Sequence, residues 1–288
     1  MEKKLITIYG NSNYTVDIAA AFAIECARAG VKTLLVELGE GTNPKLSYNL
    51  GIEDQRIKTT DYYLQNISKD MHVDSCILKK QDICEMLTDK EKALSALIKK
   101  LPDELSMMLR KAPSESYELT KDEYKKAIED IRKEGFENND MIVMALSGNG
   151  YSEPVFFANL YADTPILITE DTPNDIRGLN RFAVDMKEIM NKMSGFNEIS
   201  VYLDYGSEIS IDNFEKTAMN VKFSIPLKSI LRLHMLSGKA YSGDMIPEIT
   251  DMVKKIALEI SDEKKKGFWG FFSRKPKAVK EGKKTEDE

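Results

Sequence analysis

A loop of small polar residues near the start of the chain is the stretch best suited to hold an anion. The loop consists of Gly10, Asn11, Ser12, Asn13, Tyr14 and Thr15, and a helical pattern begins directly after it. Backbone N–H groups and the dipole at a helix N-terminus attract phosphate. The sequence therefore predicts weak phosphate binding here. The alternative is an empty loop filled by the Tyr14 side chain, and Asp17 favours it because a carboxylate in the first helical turn competes with phosphate.

Two buried strands and a helix position this loop. The apolar run 5–9 predicts the first strand, which ends where the loop begins. The helix has apolar residues at every fourth position from Ile18 to Cys26, and Gly30 is placed to end it. Residues 31–38 predict a second buried strand. In such strand–loop–helix–strand units, the first loop is where phosphates usually bind.

This unit resembles the MinD/ParA family of deviant Walker-A ATPases, in which a loop rich in glycine and lysine precedes a helix entered by threonine. Gly10 and Thr15 match the family loop. Tyr14 occupies the position of the phosphate-binding lysine, and Tyr9 occupies that of the family's second lysine. The second strand, which ends in two aspartates in the family, keeps one acid as Glu37 and has lost the other.

The buried strand predicted at 141–146 also lacks the acid that the resemblance would place at its end. Ala145 or Ser147 stands near the position of the Walker-B aspartate. Phosphoryl transfer needs a cation on the phosphates and acids for the metal ion and water. Each lost charge costs about 3–4 kcal/mol of transition-state stabilisation, by analogy with oxyanion-hole donors. The resemblance thus implies a pseudo-ATPase without a required cofactor, in which ATP and Mg²⁺ could bind without hydrolysis.

The whole pattern predicts a doubly wound α/β fold with a mostly parallel sheet, of the P-loop NTPase (SIMIBI-like) type. Further strands are predicted at 71–78, 164–169, 199–203 and 221–226. The resemblance covers about 1–80 and 138–260, within one predicted domain of residues 1–260.

Residues 81–137 are predicted to be a mostly helical elaboration of that domain. Capping boxes at 88–91 and 120–123 mark two helix starts. The segment is either ordinary surface helix or an insert that binds a partner.

Composition sets the broad class. The chain has 288 residues, 42% hydrophobic and 31% charged, with a net charge of −6. That charge argues against nucleic-acid binding. The three cysteines form no CxxC pair and there are two histidines, so neither a disulfide framework nor a zinc site is expected, and a reducing cytoplasm is the natural setting. No apolar run approaches the ~20 residues of a membrane span.

The predicted tail, 261–288, carries a basic and aromatic segment. Its candidate membrane-binding residues are Lys264, Lys265, Lys266, Phe268, Trp269, Phe271, Phe272, Arg274 and Lys275. The aromatic residues fall on one helical face, and the cations suit anionic headgroups. The segment also resembles the C-terminal membrane-targeting helix of MinD. Two alternatives are aromatics that pack on the domain and a segment that binds a partner groove.

These features predict a catalytically inactive scaffold on the inner face of the cell membrane that positions other assembly proteins. Among relatives, the TadZ/CpaE group, which localises Tad (Flp) pilus assembly, matches this combination. The resemblance also implies a homodimer across the loop face. A second hypothesis is a weak ATPase for cell division or chromosome positioning, with Lys45 or the Lys239 region supplying the missing cation. A third hypothesis, a DNA-partition protein, is disfavoured by the net acidity.

Overall fold

The structure of the chain is a computed structural model, and it describes most of the sequence up to Glu259. The described residues are 2–39, 45–50, 52, 58–69, 71–86, 96, 98–110, 118–191, 195–206, 219–239 and 241–259.

The chain alternates strands and helices along most of its described length, as parallel α/β folds require. The strands are β1 (Lys4–Tyr9), β2 (Thr33–Gly39), β3 (Leu78–Lys79), β4 (Leu105–Met108), β5 (Met141–Ser147), β6 (Thr164–Glu170), β7 (Ile199–Asp204) and β8 (Val221–Pro226). The described α-helices are α1 (Thr15–Arg28), α2 (Leu46–Asn49), α3 (Thr60–Gln65), α4 (Lys80–Met86), α5 (Lys121–Asn138), α6 (Glu153–Tyr161), α7 (Pro173–Met190), α8 (Leu227–Leu236) and α9 (Pro247–Met252). A π-helical turn, Val253–Ala257, continues α9.

The eight strands form one sheet in the order β3-β4-β2-β5-β1-β6-β7-β8. Every neighbouring pair is parallel except β3 with β4. The predicted fold class is therefore confirmed. Because β1 lies between β5 and β6, the loop that follows β1 lies at the middle of the carboxyl edge of the sheet. Ligands of doubly wound folds bind at this edge.

Helices cover both faces of the sheet and bury two apolar layers. One layer contains Ile6 and Ile168 with helices α1, α8 and α9, and the other contains Leu5 and Leu167 with helices α5, α6 and α7. Consecutive residues of a strand face opposite layers, so each of two neighbouring residues is buried and must be apolar. This explains why the strands read as continuous hydrophobic runs in the sequence.

One strand prediction in the first half of the chain is wrong, and one strand is missing from the predictions. The strand predicted at 71–78 is mainly a 3₁₀ turn, Val73–Cys76, and only Leu78–Lys79 pairs, antiparallel to β4. The segment predicted to be mostly helical, 81–137, contains β4, which pairs in parallel with β2.

The helical part of that segment is confirmed at one end. The capping box at Thr120 and Glu123 is present at the start of α5. The box at 88–91 and the basic–aromatic tail lie outside the described residues, and the domain boundaries stay predictions. No helix in the described ranges is both long enough and apolar enough to cross a bilayer.

Candidate functional site

The loop between β1 and α1 is packed tightly against strand β6. A Cβ atom on Gly10 would lie 2.3 Å from the carbonyl oxygen of Ile168 and 2.9 Å from its Cβ. Only glycine allows the backbone to approach this closely. Packing between the backbones of two neighbouring strands therefore accounts for the glycine at this position.

Ser12 closes the loop on itself. The backbone N–H of Tyr14 donates to Ser12 Oγ at 3.1 Å, and that of Thr15 donates to the Ser12 carbonyl at 3.1 Å. These amides stand where a helix N-terminus would present donors to an anion. A phosphate would have to replace both internal hydrogen bonds. The hydroxyl of Thr15, whose residue is 2% exposed, has no hydrogen-bond partner among the described residues.

The two tyrosines that the resemblance aligns with lysines take part in packing. Tyr9 is 4% exposed and its ring lies 5.3 Å from that of Phe182. Burial, reinforced by the nearby Asp175 carboxylate, raises the pKa of Tyr9 to about 12. The ring of Tyr14 meets His234 edge-on at 5.7 Å. Neither side chain supplies the positive charge that phosphoryl transfer requires.

Glu37, the acid that the sequence places in the second strand, is buried and bonded to backbone amides. Its Oε1 accepts from the N–H groups of Lys45 at 2.7 Å and Leu46 at 3.1 Å, and its Oε2 accepts from Arg110 N–H at 3.2 Å. Burial raises the pKa of Glu37, and the three hydrogen bonds partly oppose that shift. Its partner in the sheet register is Ala145, so the adjacent strand supplies no second carboxylate there.

Lys45 is the cation that the structure brings to the loop. Its Nζ donates to Asn13 Oδ1 at 3.1 Å. The weak-ATPase hypothesis requires a lysine to reach the loop from elsewhere, and Lys45 meets that requirement. No described contact joins Lys239 to the loop; its N–H donates to the Leu236 carbonyl.

Asn11 ties the other side of the loop to helix α7. Its amide donates to Asp175 Oδ1 at 3.0 Å, and Asp175 Oδ2 accepts from the Glu170 N–H at 2.6 Å. Burial raises the pKa of Asp175, while the hydrogen bonds from Glu170 and Asn11 oppose this.

Tyr205, which follows β7, is a further partly buried group near the loop. Burial is the main cause that raises the pKa of its hydroxyl, and Ser12 opposes this shift.

Asp17 forms a polar cluster that the sequence did not reveal. Its carboxylate is 2% exposed and accepts from Tyr241 OH at 2.8 Å and from Asn49 Nδ2 at 2.8 Å. The Nδ1 atom of His234 lies 3.1 Å from Asp17 Oδ2. Its place in the first helical turn predicts a competitor of phosphate, but the carboxylate is engaged with α2, α8 and the turn after α8. No local motif could have identified partners this far along the chain.

Several groups at the described part of this edge that could serve a magnesium–nucleotide complex already have partners within the chain. The loop contains no lysine, two of its amides are bonded internally, and Glu37 is committed to the backbone. Within the described residues, no group of three acidic, histidine or cysteine side chains could hold a metal ion. The unpartnered Thr15 hydroxyl is the one feature of the described loop that matches a metal-facing group of the family.

Comparison with known proteins shows a structural likeness without a sequence match. No family model matches this chain, and no curated protein matches it significantly. Three similar solved structures are the MinC:MinD cell division protein complex of Aquifex aeolicus, a ParA family ATPase from Chlorobium tepidum TLS and a variant of Cyanothece McdA in complex with ATP.

The likeness spans almost the whole of each protein. The TM-scores are 0.61, 0.57 and 0.60 at 16%, 14% and 13% identity, in the same order. The alignments cover 90%, 87% and 90% of this chain and 96%, 97% and 98% of the other chains. Identity this low carries the fold and nothing finer. The chain therefore has the fold of the MinD and ParA ATPases.

Proposed function

We propose that this chain is a catalytically inactive protein with the MinD/ParA fold that acts as a membrane-associated localisation or assembly scaffold. The machine it serves would be a Tad (Flp)-type pilus or secretion system, as in the TadZ/CpaE group. It would work as a homodimer in the cytoplasm, at the inner membrane face, together with other assembly proteins. The Aquifex protein in the comparison, MinD, forms a complex with a partner protein, MinC.

The observation that carries the proposal is that polar groups at the loop are already engaged in hydrogen bonds within the chain. Glu37 satisfies three backbone N–H groups, and Ser12 satisfies two amides of the loop. Tyr9 and Tyr14 replace cations with aromatic rings. The loss of two preorganised charges, at about 3–4 kcal/mol each, reduces the rate by roughly 10⁴ or more.

A phosphate-release assay tests this proposal, with calorimetry for ATP and Mg²⁺ binding beside it. We expect no turnover in the ordinary range of ~1–10³ s⁻¹. The ParA family ATPase of Chlorobium tepidum serves as the positive control. Phosphate release that Thr15→Ala leaves unchanged would come from a contaminant. Turnover within that range that Thr15→Ala abolishes would overturn the proposal.

A second candidate, a weak nucleotide-binding positioning protein, is favoured by the contact between Lys45 and Asn13. Calorimetry with Lys45→Ala separates the two functions. The matched control is Lys69→Ala, because Lys69 also donates to an asparagine side chain, Asn66, at 2.9 Å, in the 3₁₀ turn after α3. ATP binding that weakens in Lys45→Ala and persists in Lys69→Ala would favour this second function.

The membrane part of the proposal rests on the basic–aromatic tail. Trp269 is the single tryptophan of the chain and reports directly on that segment. Its emission should shift to the blue with anionic vesicles, less so with neutral ones, and high salt should weaken the effect. An emission that is already blue-shifted and protected from quenchers without lipid would mean that the aromatic side chains pack on the domain.

A further inference from the structure

Helix α8 carries a stripe of apolar side chains on its solvent side. Leu227, Leu231 and Met235 are 39%, 47% and 68% exposed. A spacing of four residues places them on one face of the helix. We refer to these three residues as the α8 stripe. Single exposed apolar residues need no explanation, but three in a row on one helix indicate an interaction surface.

The stripe is not a misplaced core face, because the opposite side of α8 is already buried. Ile230 is 1% exposed and Leu233 is fully buried in the layer that contains α1. Ser229 Oγ donates to Glu248 Oε1 at 2.9 Å, which links α8 to α9. These contacts fix the rotation of the helix about its axis, so the stripe has to face outward.

Positive charge flanks the stripe. Lys228 and Arg232 are both exposed, and each follows a stripe residue by one position, about 100° further round the helix. The sequence from Met219 to Gly243 contains no aspartate or glutamate, although the chain carries a net charge of −6. An apolar face bordered by cations is the composition of a helix that lies in a membrane interface.

An exposed tyrosine lies next to a residue that contacts the end of α8. Tyr48 is 73% exposed, and the carbonyl of its neighbour Asn49 accepts a hydrogen bond from the N–H of Gly238, just beyond α8, at 2.5 Å. Tyrosine is enriched at the level of lipid headgroups because its ring is apolar and its hydroxyl is polar.

We propose that the α8 stripe lies on an anionic lipid bilayer and forms a second membrane contact, on the folded domain itself. Charge selects this occupant: a second copy of α8 and the chain's own basic tail are both cationic and would be repelled. A protein partner would also need about 800 Å² per side for a stable interface, more than one ten-residue helix offers. The inference rests on the proposed membrane scaffold and deepens it, since two weak contacts bind a bilayer far better than one.

Moving the single tryptophan tests the contact directly. In the full-length chain, the pair W269F and M235W places the indole in the α8 stripe. We expect a blue shift with vesicles of phosphatidylcholine and phosphatidylglycerol, and strong quenching when the lipid tails are brominated. The control is W269F with I189W, since Ile189 is 39% exposed on α7, which packs on the other face of the sheet. That indole should not be quenched.

Charge removal gives an independent measure. The double variant K228Q with R232Q should bind vesicles about 30-fold more weakly, because it loses two charges that each contribute about 1 kcal/mol of binding free energy. The control R181Q with K133Q removes two exposed cations from α7 and α5 and should have little effect. All four substitutions are at exposed positions, so thermal unfolding should be unchanged.

The outcomes separate this inference from the proposed function. Quenching of the native Trp269 together with an unquenched indole in M235W would overturn the α8 contact and leave the tail contact in place. Quenching in neither chain would overturn both. Loss of binding to an acidic protein in K228Q with R232Q, without loss of vesicle binding, would identify the surface as a protein-docking site and overturn the lipid assignment.

Discussion

Replacing Asp17 by alanine should destabilise the domain far more than an ordinary helix-terminus substitution. The carboxylate lies in the first turn of α1 and accepts hydrogen bonds from Tyr241 and Asn49, while His234 lies beside it. These contacts hold the start of α1 against α2, α8 and the turn after α8. Asp17→Ala would therefore remove one acceptor and leave several donors without it.

The magnitude follows from how deeply each donor is buried. Tyr241 is fully buried, so its hydroxyl would lose a charge-assisted bond with no water to replace it, at about 2–3 kcal/mol. Asn49 is half-buried, so its amide can donate to water instead, and the loss of its hydrogen bond costs about 1 kcal/mol. His234 is largely exposed and adds little. We expect a total loss of about 3–4 kcal/mol in the free energy of unfolding.

Urea unfolding of the full chain measures this loss. Asp122→Ala is the matched control, because Asp122 also lies in the first turn of a helix, α5, but is exposed. It reports the helix-dipole and helix-propensity effects of an Asp→Ala change at an exposed position, which are a fraction of the expected loss. Subtracting it isolates the buried hydrogen bonds of Asp17.

A double-mutant cycle with Tyr241→Phe checks the cause. Removing both partners leaves no unsatisfied hydroxyl, so the double variant should be about 1–2 kcal/mol more stable than the sum of the single losses predicts. The reasoning is refuted if Asp17→Ala costs no more than Asp122→Ala, or if the two losses at Asp17 and Tyr241 add within ~0.5 kcal/mol.

Two further predictions concern packing and pH. Gly10→Ala should cost about 1–3 kcal/mol in urea unfolding because its methyl would overlap Ile168, whereas Gly178→Ala in α7 meets nothing within 4 Å and should stabilise by about 0.5–1 kcal/mol; equal effects would contradict this. Burial raises the pKa of Glu37 in the folded state. Its contribution to the free energy of unfolding is therefore full below the unfolded pKa of about 4.3, and it is lost as the pH rises through the folded-state pKa. Wild type should therefore lose stability relative to Glu37→Gln as the pH rises above the unfolded pKa, and a constant difference would argue against a raised pKa.

The strand–loop–helix–strand unit could be predicted from sequence because its signals are local. Apolar runs mark β1 and β2, and Gly30, with φ of 85°, ends α1 as predicted. The mostly parallel sheet could also be predicted, because strands that are buried on both faces have continuous apolar sequences.

β4 could not be predicted for the opposite reason. It has four residues, Leu-Ser-Met-Met, without a β-branched or aromatic side chain. It is a strand because β2 pairs with it through residues Thr33 to Val36, which lie far earlier in the chain. Tertiary pairing, and not local propensity, decides its structure.

For the site residues, too, the sequence predicts the position of a residue but not its role. Glu37 could be placed in the second strand from sequence, but its role depends on Lys45 and on Arg110, which is 73 residues away. The Asp17 cluster depends on His234 and Tyr241, which are 217 and 224 residues away. A local pattern identifies which residue occupies a position, whereas only the fold identifies what that residue contacts.

These long-range contacts also connect the loop face to the α8 stripe. His234 lies on α8 between Leu231 and Met235 of the stripe, and it contacts both the Asp17 carboxylate and the Tyr14 ring. Tyr14 of the loop is therefore in contact with the helix that we propose rests on the membrane. These contacts are made by side chains of the chain itself and join the start of α1 to α8. A substitution at His234 should therefore affect both the packing of the loop and the orientation of the α8 stripe.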